Sequence, residues 1–319
     1  MDISVGGLSK DFGSFRAVDD LTFEVAPGRV TGFLGPNGAG KTTTLRMLLG
    51  LVRPSAGEAL IGGRTYAALP RPMETVGAAL EATGFHPGRS GRNHLRVLAA
   101  THDIPDRRVD ELLELVGIPS AARKRAGDYS MGMRQRLGLA AALLGDPDVL
   151  LLDEPANGLD PEGIRWMRGF LRHLARDQGK TVLISSHLLA EVEQTVEDVI
   201  IIANGRLVRE GTMDDLHGES AARVRTTEPA RLAEALAGAG LTSTPDDGGL
   251  RVLTGDLALV GDVALRAGLP VHELRPLRTD LERLFLQLTE SPEHRNRNLA
   301  DAGGPPPTPG PRGPQEDSR

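Results

Sequence analysis

Apolar residues follow two alternating patterns along the first two thirds of the chain. Short apolar runs such as Val30–Leu34 predict buried strands, and segments with apolar residues three and four positions apart predict helices. Strands and helices alternate between residues 1 and 217, which indicates a mostly parallel sheet with helices packed on it. We therefore expect one α/β domain over this range.

Between residues 88 and 145 the pattern becomes purely helical. One predicted helix has its apolar positions at i, i+3, i+4 and i+7, on a single face: Val109, Leu112, Leu113 and Val116. Asp106 is the expected N-cap of this helix, and Gly117 is expected to end it. The pattern predicts a helical insert within the α/β domain.

Residues 218–290 show a second, smaller alternation. Runs typical of strands occupy 224–226, 250–253 and 271–274, and runs typical of helices occupy 230–239, 257–267 and 280–288. This order predicts a small α+β domain, for which a ferredoxin-like arrangement is one candidate.

The last 29 residues have a different composition from the rest of the chain. Residues 291–319 contain seven prolines and four glycines, and Leu299 is their one large aliphatic side chain. Such a segment buries too little apolar surface to offset the entropy lost on ordering. We predict a disordered tail.

Composition excludes several classes of function. The 319 residues include no cysteine, which excludes disulfides, thiolate zinc sites and thiol catalysis. No segment approaches the ~20 apolar residues that a membrane span needs. The first residues lack the basic and apolar regions of a signal peptide, so we expect the chain to stay in the compartment where it is made. The net charge of −6 disfavours nucleic acid as a partner.

A glycine-rich segment follows the predicted strand Val30–Leu34 and precedes a predicted helix. It matches the G-x-x-x-x-G-K-[ST] phosphate-binding loop (P-loop) and comprises Gly35, Pro36, Asn37, Gly38, Ala39, Gly40, Lys41, Thr42 and Thr43. Glycines let backbone N–H groups surround phosphates, and the helix N-terminus adds positive potential. Lys41 is expected to reach the β- and γ-phosphates, and the Thr42 hydroxyl to bind Mg²⁺. A glycine-rich turn without a ligand is the alternative, which the flanking strand and helix disfavour.

A second apolar strand, Val149–Asp153, ends in two carboxylates. Asp153 is expected to hold Mg²⁺, commonly through water, and Glu154 to orient and deprotonate the attacking water. A strand that ends in a solvated acidic turn is the alternative. The P-loop earlier in the chain favours the functional interpretation.

From residue 8 to 217 the chain resembles the ATP-binding-cassette (ABC) family in motif order and spacing. Residues 129–136, YSMGMRQR, are similar to the signature segment, which in that family closes over the γ-phosphate held by the partner protomer. Residues 157–160, NGLD, are similar to the D-loop, which crosses the dimer interface. The resemblance implies four residues that contact ATP across the dimer: Ser130, Gly132, Met133 and Asp160. Ser130 and Asp160 also suit helix N-caps, and both roles can hold together.

The resemblance assigns roles to two further residues. His187, after the predicted strand 181–185, is similar to the switch histidine that contacts the γ-phosphate. Phe12 occupies the place of an aromatic residue that stacks on adenine. A structural role is the alternative for each. A lone histidine at the end of a strand is usually structural, and a lone phenylalanine is more often part of a core.

The sequence departs from the family pattern at three positions. Glu81 occupies the place of a glutamine that touches Mg²⁺ and faces the transmembrane partner, and Met131 and Met133 replace the usual glycine and glutamine of the signature. An ionised Glu81 can bind Mg²⁺ but cannot donate a hydrogen bond. With residues 279–289, TDLERLFLQLT, these variants are similar to bacterial exporters of drugs, antibiotics or lipid-linked molecules.

The resemblance implies an α/β P-loop NTPase cassette that acts as a Mg²⁺-dependent ATPase with ATP and Mg²⁺ bound. Two such subunits, as a homodimer or heterodimer, would power a separately encoded transmembrane permease from the cytoplasmic face of the membrane. A non-transport ABC ATPase acting on ribosomes or nucleic acid is the first alternative; the negative charge and the lack of sustained heptads disfavour it. A P-loop small-molecule kinase is the second, and the signature and D-loop segments disfavour it.

Overall fold

The computed structural model describes residues 1–80, 84–217, 220–277 and 281–289. Within these ranges the strands are β1 (Ile3–Phe12), β2 (Phe15–Val25), β3 (Val30–Leu34), β4 (Ala56–Ile61), β5 (Val76–Ala79), β6 (Val149–Asp153), β7 (Thr181–Ser186), β8 (Asp198–Ala203), β9 (Arg206–Thr212), β10 (Ala221–Thr226), β11 (Ser243–Asp246), β12 (Gly249–Val252) and β13 (Val271–Leu277). The helices in the same ranges are α1 (Lys41–Leu48), α2 (Pro72–Thr75), α3 (Gly91–Ala100), α4 (Asp106–Leu115), α5 (Met131–Ala142), α6 (Pro161–Arg176), α7 (Leu189–Val192), α8 (Met213–His217), α9 (Pro229–Gly238), α10 (Leu257–Arg266) and α11 (Leu281–Thr289).

The central sheet has six strands among the described residues, in the order β5-β6-β7-β3-β8-β9. The first five are parallel, and β9 is antiparallel to β8. Because β3, β6 and β7 are parallel, the P-loop after β3, the carboxylates after β6 and His187 after β7 lie at one edge of the sheet. This is the edge at which open α/β sheets bind ligands.

Strand β6 is buried on both faces, which explains its uninterrupted apolar sequence. Leu150 and Leu152 pack with Leu171 of α6 in one core cluster, and Leu151 packs with Leu45 of α1 in the other. The alternation of side chains along a strand sends successive residues to opposite faces. The mostly parallel α/β architecture predicted from the sequence is confirmed.

A second sheet, in the order β2-β1-β4, is antiparallel and packs beside the P-loop helix. Its Phe23 ring lies 5.3 Å from the ring of Phe33 in β3. The Asp19 backbone N–H donates to the Gly205 carbonyl, which fixes β2 to the turn between β8 and β9. Edge strand β2 therefore lies next to the P-loop.

The predicted helical insert contains α3, α4 and α5. All four apolar positions predicted for α4 are at most 1% exposed. The predicted N-cap was wrong by one residue: Pro105 is the N-cap, and Asp106 is the first helical residue. The Asp106 carboxylate instead binds the Arg96 guanidinium of α3, with Nε and Oδ2 2.9 Å apart.

Strands β10 to β13 form a separate antiparallel sheet in the order β11-β12-β10-β13, and α9 and α10 pack on it. The chain order β-α-β-β-α-β with this strand order is the ferredoxin-like arrangement. Strand β11 was not predicted, because its four residues include Pro245 and lack alternating apolar residues. Sequence pattern gives no signal for so short and polar a strand.

The last described helix, α11, packs away from the small sheet. Phe285 is 6% exposed and belongs to the same core cluster as Leu189 and Val192 of α7. The disordered tail predicted for residues 291–319 lies outside the described residues, and the division of the chain at residues 217 and 290 stays a prediction. None of the described helices has the length and apolar character to span a bilayer.

Candidate functional site

A cavity of about 490 Å³, here called the P-loop cavity, opens at the carboxyl edge of the central sheet. Gly40 adopts a φ of 101°, in the left-handed region that favours glycine. A Cβ atom at Gly40 would lie 2.6 Å from the Ala17 carbonyl oxygen, and one at Gly35 would lie 2.5 Å from that of Ile202. The glycines of the motif are therefore required by close approach of neighbouring backbone.

Lys41 is held inside this loop and is only 6% exposed. Its Nζ donates to the Gly35 carbonyl at 2.6 Å and lies 3.6 Å from Glu154 Oε1. Burial lowers the pKa of Lys41, and the negative charges of Glu154 and Asp153 oppose that shift. An anionic phosphate beside Lys41 would supply the counter-charge that a buried ammonium needs.

Hydroxyl and carboxylate oxygens meet behind the loop. The Thr42 hydroxyl donates to Asp153 Oδ2 at 2.7 Å, and the Ser185 hydroxyl donates to Asp153 Oδ1. Ser185 Oγ also accepts the Glu154 backbone N–H at 2.9 Å. Hard oxygen donors of this kind suit Mg²⁺, which is usually bound by a few protein oxygens together with substrate phosphates and water. The residues present thus fit the ion expected from the sequence.

Glu154 and His187 both line the P-loop cavity, and their side chains are in contact with each other. Glu154 Oε2 and His187 Nδ1 are 2.8 Å apart. Glu154 has a φ of 50°, an unusual backbone conformation for a residue with a side chain and one that concentrates at functional sites. The geometry places a carboxylate and an imidazole beside the phosphate-binding loop.

The residues assigned to contact across a dimer lie elsewhere on the chain. Ser130 caps α5 by accepting the Met133 N–H at 3.3 Å, and Asp160 caps α6 by accepting the Gly163 N–H at 2.7 Å. A Cβ atom at Gly132 would contact Leu159 at 3.5 Å, so the signature and D-loop segments are neighbours. The residues that line the P-loop cavity of the same chain include neither of the two caps.

Two aromatic residues flank the β1–β2 turn, and they have different surroundings. Phe15 lines the P-loop cavity, whereas Phe12 does not and instead has Lys10 Nζ 5.0 Å from its ring centroid. The difference follows from the strand order, because β2 is the edge strand next to the loop and β1 is the middle strand. Glu81, the expected Mg²⁺ ligand, lies outside the described residues.

Phe15, Ala17 and Ser185 were not identified from the sequence, and Asn157 was expected in the D-loop rather than at this cavity. Phe15 and Asn157 line the cavity, and Ser185 joins Asp153 to the Glu154 backbone. The one available signal for Ser185 was its place near the carboxyl end of a strand that leads to His187. No signal distinguished Phe15 from Phe12, because both residues border the same turn.

Comparison with known proteins identifies the family. A family model described as ABC transporter matches residues 18–157, and a model described as a domain of unknown function matches residues 220–282. The bacitracin transport ATP-binding protein BcrA of Bacillus licheniformis is 44% identical over 216 residues, which are 67% of this chain and 71% of that protein. The daunorubicin resistance ATP-binding protein DrrA3 of Streptomyces coeruleorubidus is 37% identical over 305 residues, which are 90% and 95% of the two chains.

A solved structure described as an ATP binding subunit of an ABC transporter superposes with a TM-score of 0.61 at 28% identity. The superposition covers 68% of this chain and 92% of the other. These findings confirm the resemblance drawn from the motifs. The chain belongs to the ABC transporter family, in which it is an ATP-binding subunit and an ATPase.

Proposed function

We propose that this chain is the Mg²⁺-dependent ATPase subunit of an exporter, and that it powers a separately encoded transmembrane permease from the cytoplasmic face of the membrane. The names of the relatives, one for bacitracin transport and one for daunorubicin resistance, support a cargo in the class of antibiotics and other drugs, and lipid-like molecules remain part of the proposal from the sequence resemblance. The same names do not favour the alternative of an ABC ATPase that acts on ribosomes or nucleic acid.

The observation that carries the proposal is the convergence of five side chains at the carboxyl edge of the central sheet, four of which line the P-loop cavity. They are separated by up to 146 residues in sequence and are joined by hydrogen bonds or ion pairs: Lys41, Thr42, Asp153, Glu154 and His187. A structural network alone does not need a buried lysine beside a glycine loop that leaves room for a ligand. Phosphate binding explains both features.

Each of these side chains has a distinct task in the proposed reaction. Lys41 neutralises charge on the β- and γ-phosphates, and Glu154 orients the attacking water and accepts its proton. His187, held by Glu154, contacts the γ-phosphate and stabilises the charge that develops on it. Thr42 and Asp153 would hold Mg²⁺, which supplies further stabilisation of phosphate charge when bound.

We further propose that two protomers sandwich two ATP molecules. Ser130 and Gly132, at the start of the 12-residue helix α5, would direct the positive end of that helix at the partner's γ-phosphate. Met133 and Asp160 would contribute from the same surface. ATP favours the closed dimer because only there do both protomers contact it, and the closing motion would be passed to the permease.

Glu154→Gln tests the proposal in the full chain. The variant keeps the shape of the side chain but cannot accept a proton, so we expect ATP binding without steady hydrolysis and an ATP-bound dimer in gel filtration. Glu114→Gln, on the exposed side of α4, makes the same change in charge away from the site and should behave as the wild type. Normal turnover by Glu154→Gln would exclude Glu154 as the base, and a monomer at saturating ATP would argue against the sandwich.

The transport role needs a separate experiment. The tagged chain should co-purify from detergent-extracted membranes with a polypeptide that has several apolar spans, and candidate cargos should stimulate ATP hydrolysis by that complex. Recovery with ribosomes instead, at unchanged ATPase activity, would favour the alternative function.

A further inference from the structure

A second cavity, of about 450 Å³, lies at the amino edge of the central sheet. Its walls come from the starts of β1, β3 and β8 and from the ends of β2 and β9, which is antiparallel to β8. Strand β3 runs from this cavity, here called the amino-edge cavity, to the P-loop. The two cavities therefore occupy opposite edges of the same sheet.

Negative charge is concentrated in the amino-edge cavity. Five carboxylates line it: Asp2, Glu24, Asp198, Glu210 and Asp215. Among the lining residues that the structure describes, Arg29 is the one cationic side chain, and its Nε lies 3.1 Å from Asp198 Oδ2. Such an excess of like charge is unfavourable by itself, because the carboxylates repel one another.

The carboxylates at the rim are also held close to one another. Glu210 Oε1 accepts the backbone N–H of Glu24 at 3.3 Å, so the two side chains lie on adjacent edges of the two sheets. Within the described ranges neither Asp2 nor Glu24 has an ion-pair partner. The negative potential at the opening is thus largely uncompensated.

The floor of the cavity contains an unpaired buried hydroxyl. Thr31 lines the cavity and is 1% exposed, and its Oγ1 has no hydrogen-bond partner within the described part of the chain. Its side chain lies on the same side of β3 as Phe33, where Ile3 and Val25 form the apolar wall. Buried hydroxyls are nearly always paired, and Thr31 Oγ1 can accept a hydrogen bond from a donor group that enters the cavity.

Thr31 lies directly beside a carboxylate of the next strand. It is the register partner of Asp198, the first residue of the parallel strand β8. Burial raises the pKa of Asp198, and Arg29 opposes that shift. A neutral acceptor and a partly buried carboxylate therefore stand side by side at the bottom of the cavity, above a wall of aliphatic side chains.

These features select the class of ligand. Anions are excluded by the five carboxylates. The described residues contain no group of three or more His, Cys, Asp or Glu side chains arranged to hold a metal ion, which disfavours a bare divalent cation. A cation that brings its own N–H donors and its own apolar surface satisfies the hydroxyl, the carboxylates and the aliphatic wall together.

We propose that the amino-edge cavity binds a small organic cation, with a primary ammonium group attached to an apolar body. The ammonium N–H groups donate to Thr31 Oγ1 and to the Asp198 carboxylate, the body packs on Ile3 and Val25, and Glu24 with Glu210 attracts the cation to the opening. This site is separate from ATP binding and does not depend on the proposed transport role.

The test titrates the full chain with four probes and measures dissociation constants by calorimetry. Benzylammonium carries the charge, the N–H donors and an apolar body; benzyltrimethylammonium lacks the donors; benzyl alcohol lacks the charge; and a lysine capped at both ends represents a protein side chain. We expect benzylammonium to bind tightest, benzyltrimethylammonium about tenfold more weakly and benzyl alcohol not measurably, since one charged hydrogen bond is worth about a factor of ten or more. Saturating ATP should leave the order unchanged.

Two variants locate the site. Thr31→Val keeps the shape and removes the acceptor, so it should weaken benzylammonium about tenfold and leave benzyltrimethylammonium unchanged. The same variant should not unfold the protein, because it replaces an unpaired hydroxyl by a methyl group. The double variant Glu24→Gln with Glu210→Gln should weaken the binding of both ammonium probes. The matched double variant Glu58→Gln with Glu114→Gln should leave the binding of both unchanged.

Several results would overturn the proposal. If benzyl alcohol bound as tightly as benzylammonium, charge would play no part in binding. If Thr31→Val bound benzylammonium with wild-type affinity, the Thr31 hydroxyl would not contact the ligand. Failure of every probe to saturate at millimolar concentrations would show that the cavity is no binding site. Tighter binding of the capped lysine than of benzylammonium would assign the cavity to a protein partner instead.

Discussion

The Ser185 hydroxyl connects the two acidic residues of the ATPase site, which makes Ser185→Ala an informative perturbation. Ser185 is fully buried, donates to Asp153 Oδ1 and accepts the Glu154 N–H at 2.9 Å. The alanine variant removes one hydrogen bond to a carboxylate. It also leaves a backbone N–H without its acceptor at a residue whose φ is already unusual.

The expected loss in free energy of unfolding follows from these two hydrogen bonds. A hydrogen bond to a charged group contributes about 1.5–3 kcal/mol, and an unpaired buried donor costs about 1–3 kcal/mol. Because Asp153 keeps its bond from Thr42 and both acidic residues are partly accessible to water, we expect the free energy of unfolding to fall by about 2–3 kcal/mol.

The kinetic effect should fall on kcat rather than on KM for ATP. Among the described residues, the hydrogen bonds of the Ser185 hydroxyl go to Asp153 and Glu154, and those of Lys41, which binds the phosphates in the proposed function, go to the Gly35 and Pro36 carbonyls. Glu154, in contrast, loses the support that fixes its backbone beside the attacking water. We expect kcat to fall at least about tenfold, since a misplacement that costs 1.4 kcal/mol in the transition state has that effect.

Urea unfolding and steady-state ATPase assays on the same preparation measure both quantities. Thr44→Val is the matched control, because the Thr44 hydroxyl is equally buried but donates only to the neutral Gly40 carbonyl in its own helix. It should lose less stability and keep its kcat. If Ser185→Ala retained wild-type kcat and stability, the claim that Ser185 positions Asp153 and Glu154 would be refuted.

Two further predictions concern aromatic residues and pH. Phe15→Ala should weaken ATP binding by about 1–3 kcal/mol, the usual contribution of stacking on a base, whereas Phe12→Ala should leave it unchanged; a nucleotide titration that gave the reverse would restore Phe12 as the stacking residue. Burial, aided by the charge of Arg89, lowers the pKa of His94. Below pH ~6.5 the unfolded chain therefore binds a proton that the native protein does not, so the free energy of unfolding should fall as pH drops from that value towards the lower native pKa. This loss should be absent in His94→Leu and present in a control at the exposed His102, and an unchanged pH dependence in His94→Leu would contradict it.

Local sequence was sufficient to predict the elements whose pattern lies within one continuous segment of the chain. The P-loop lies between a buried strand and an amphipathic helix, and the strand that ends at Asp153 is an unbroken apolar run, so each could be predicted without knowledge of the fold. The helix α4 shows the limit of local rules: its apolar face was predicted correctly, but Asp106 forms an ion pair with α3 instead of capping the helix. The Asp106 carboxylate takes part in a tertiary ion pair with Arg96 rather than in a helix cap.

Local sequence could not predict the position of residues that strand order brings to the site. Thr42 and Asp153 are 111 positions apart and meet because β7 lies between β3 and β6 and aligns their carboxyl ends. Phe15 lines the cavity because β2 is an edge strand, a fact that the hairpin sequence does not contain. Helix α11 has an amphipathic sequence, but its docking on α7 rather than on the small sheet is a long-range choice between two apolar surfaces.

The sequence by itself determined the α/β class, the ABC family, the phosphate-binding loop and the identity of the acidic pair, because each of these depends on short spacings and backbone geometry. Only the tertiary structure decided that Ser185 joins Asp153 to Glu154, that His187 reaches Glu154, and that Thr31 lies unpaired among carboxylates at the opposite edge. Those relations arise when distant strands come into register. Burial, which makes an unpaired hydroxyl or a buried ammonium costly, exists only in the folded chain.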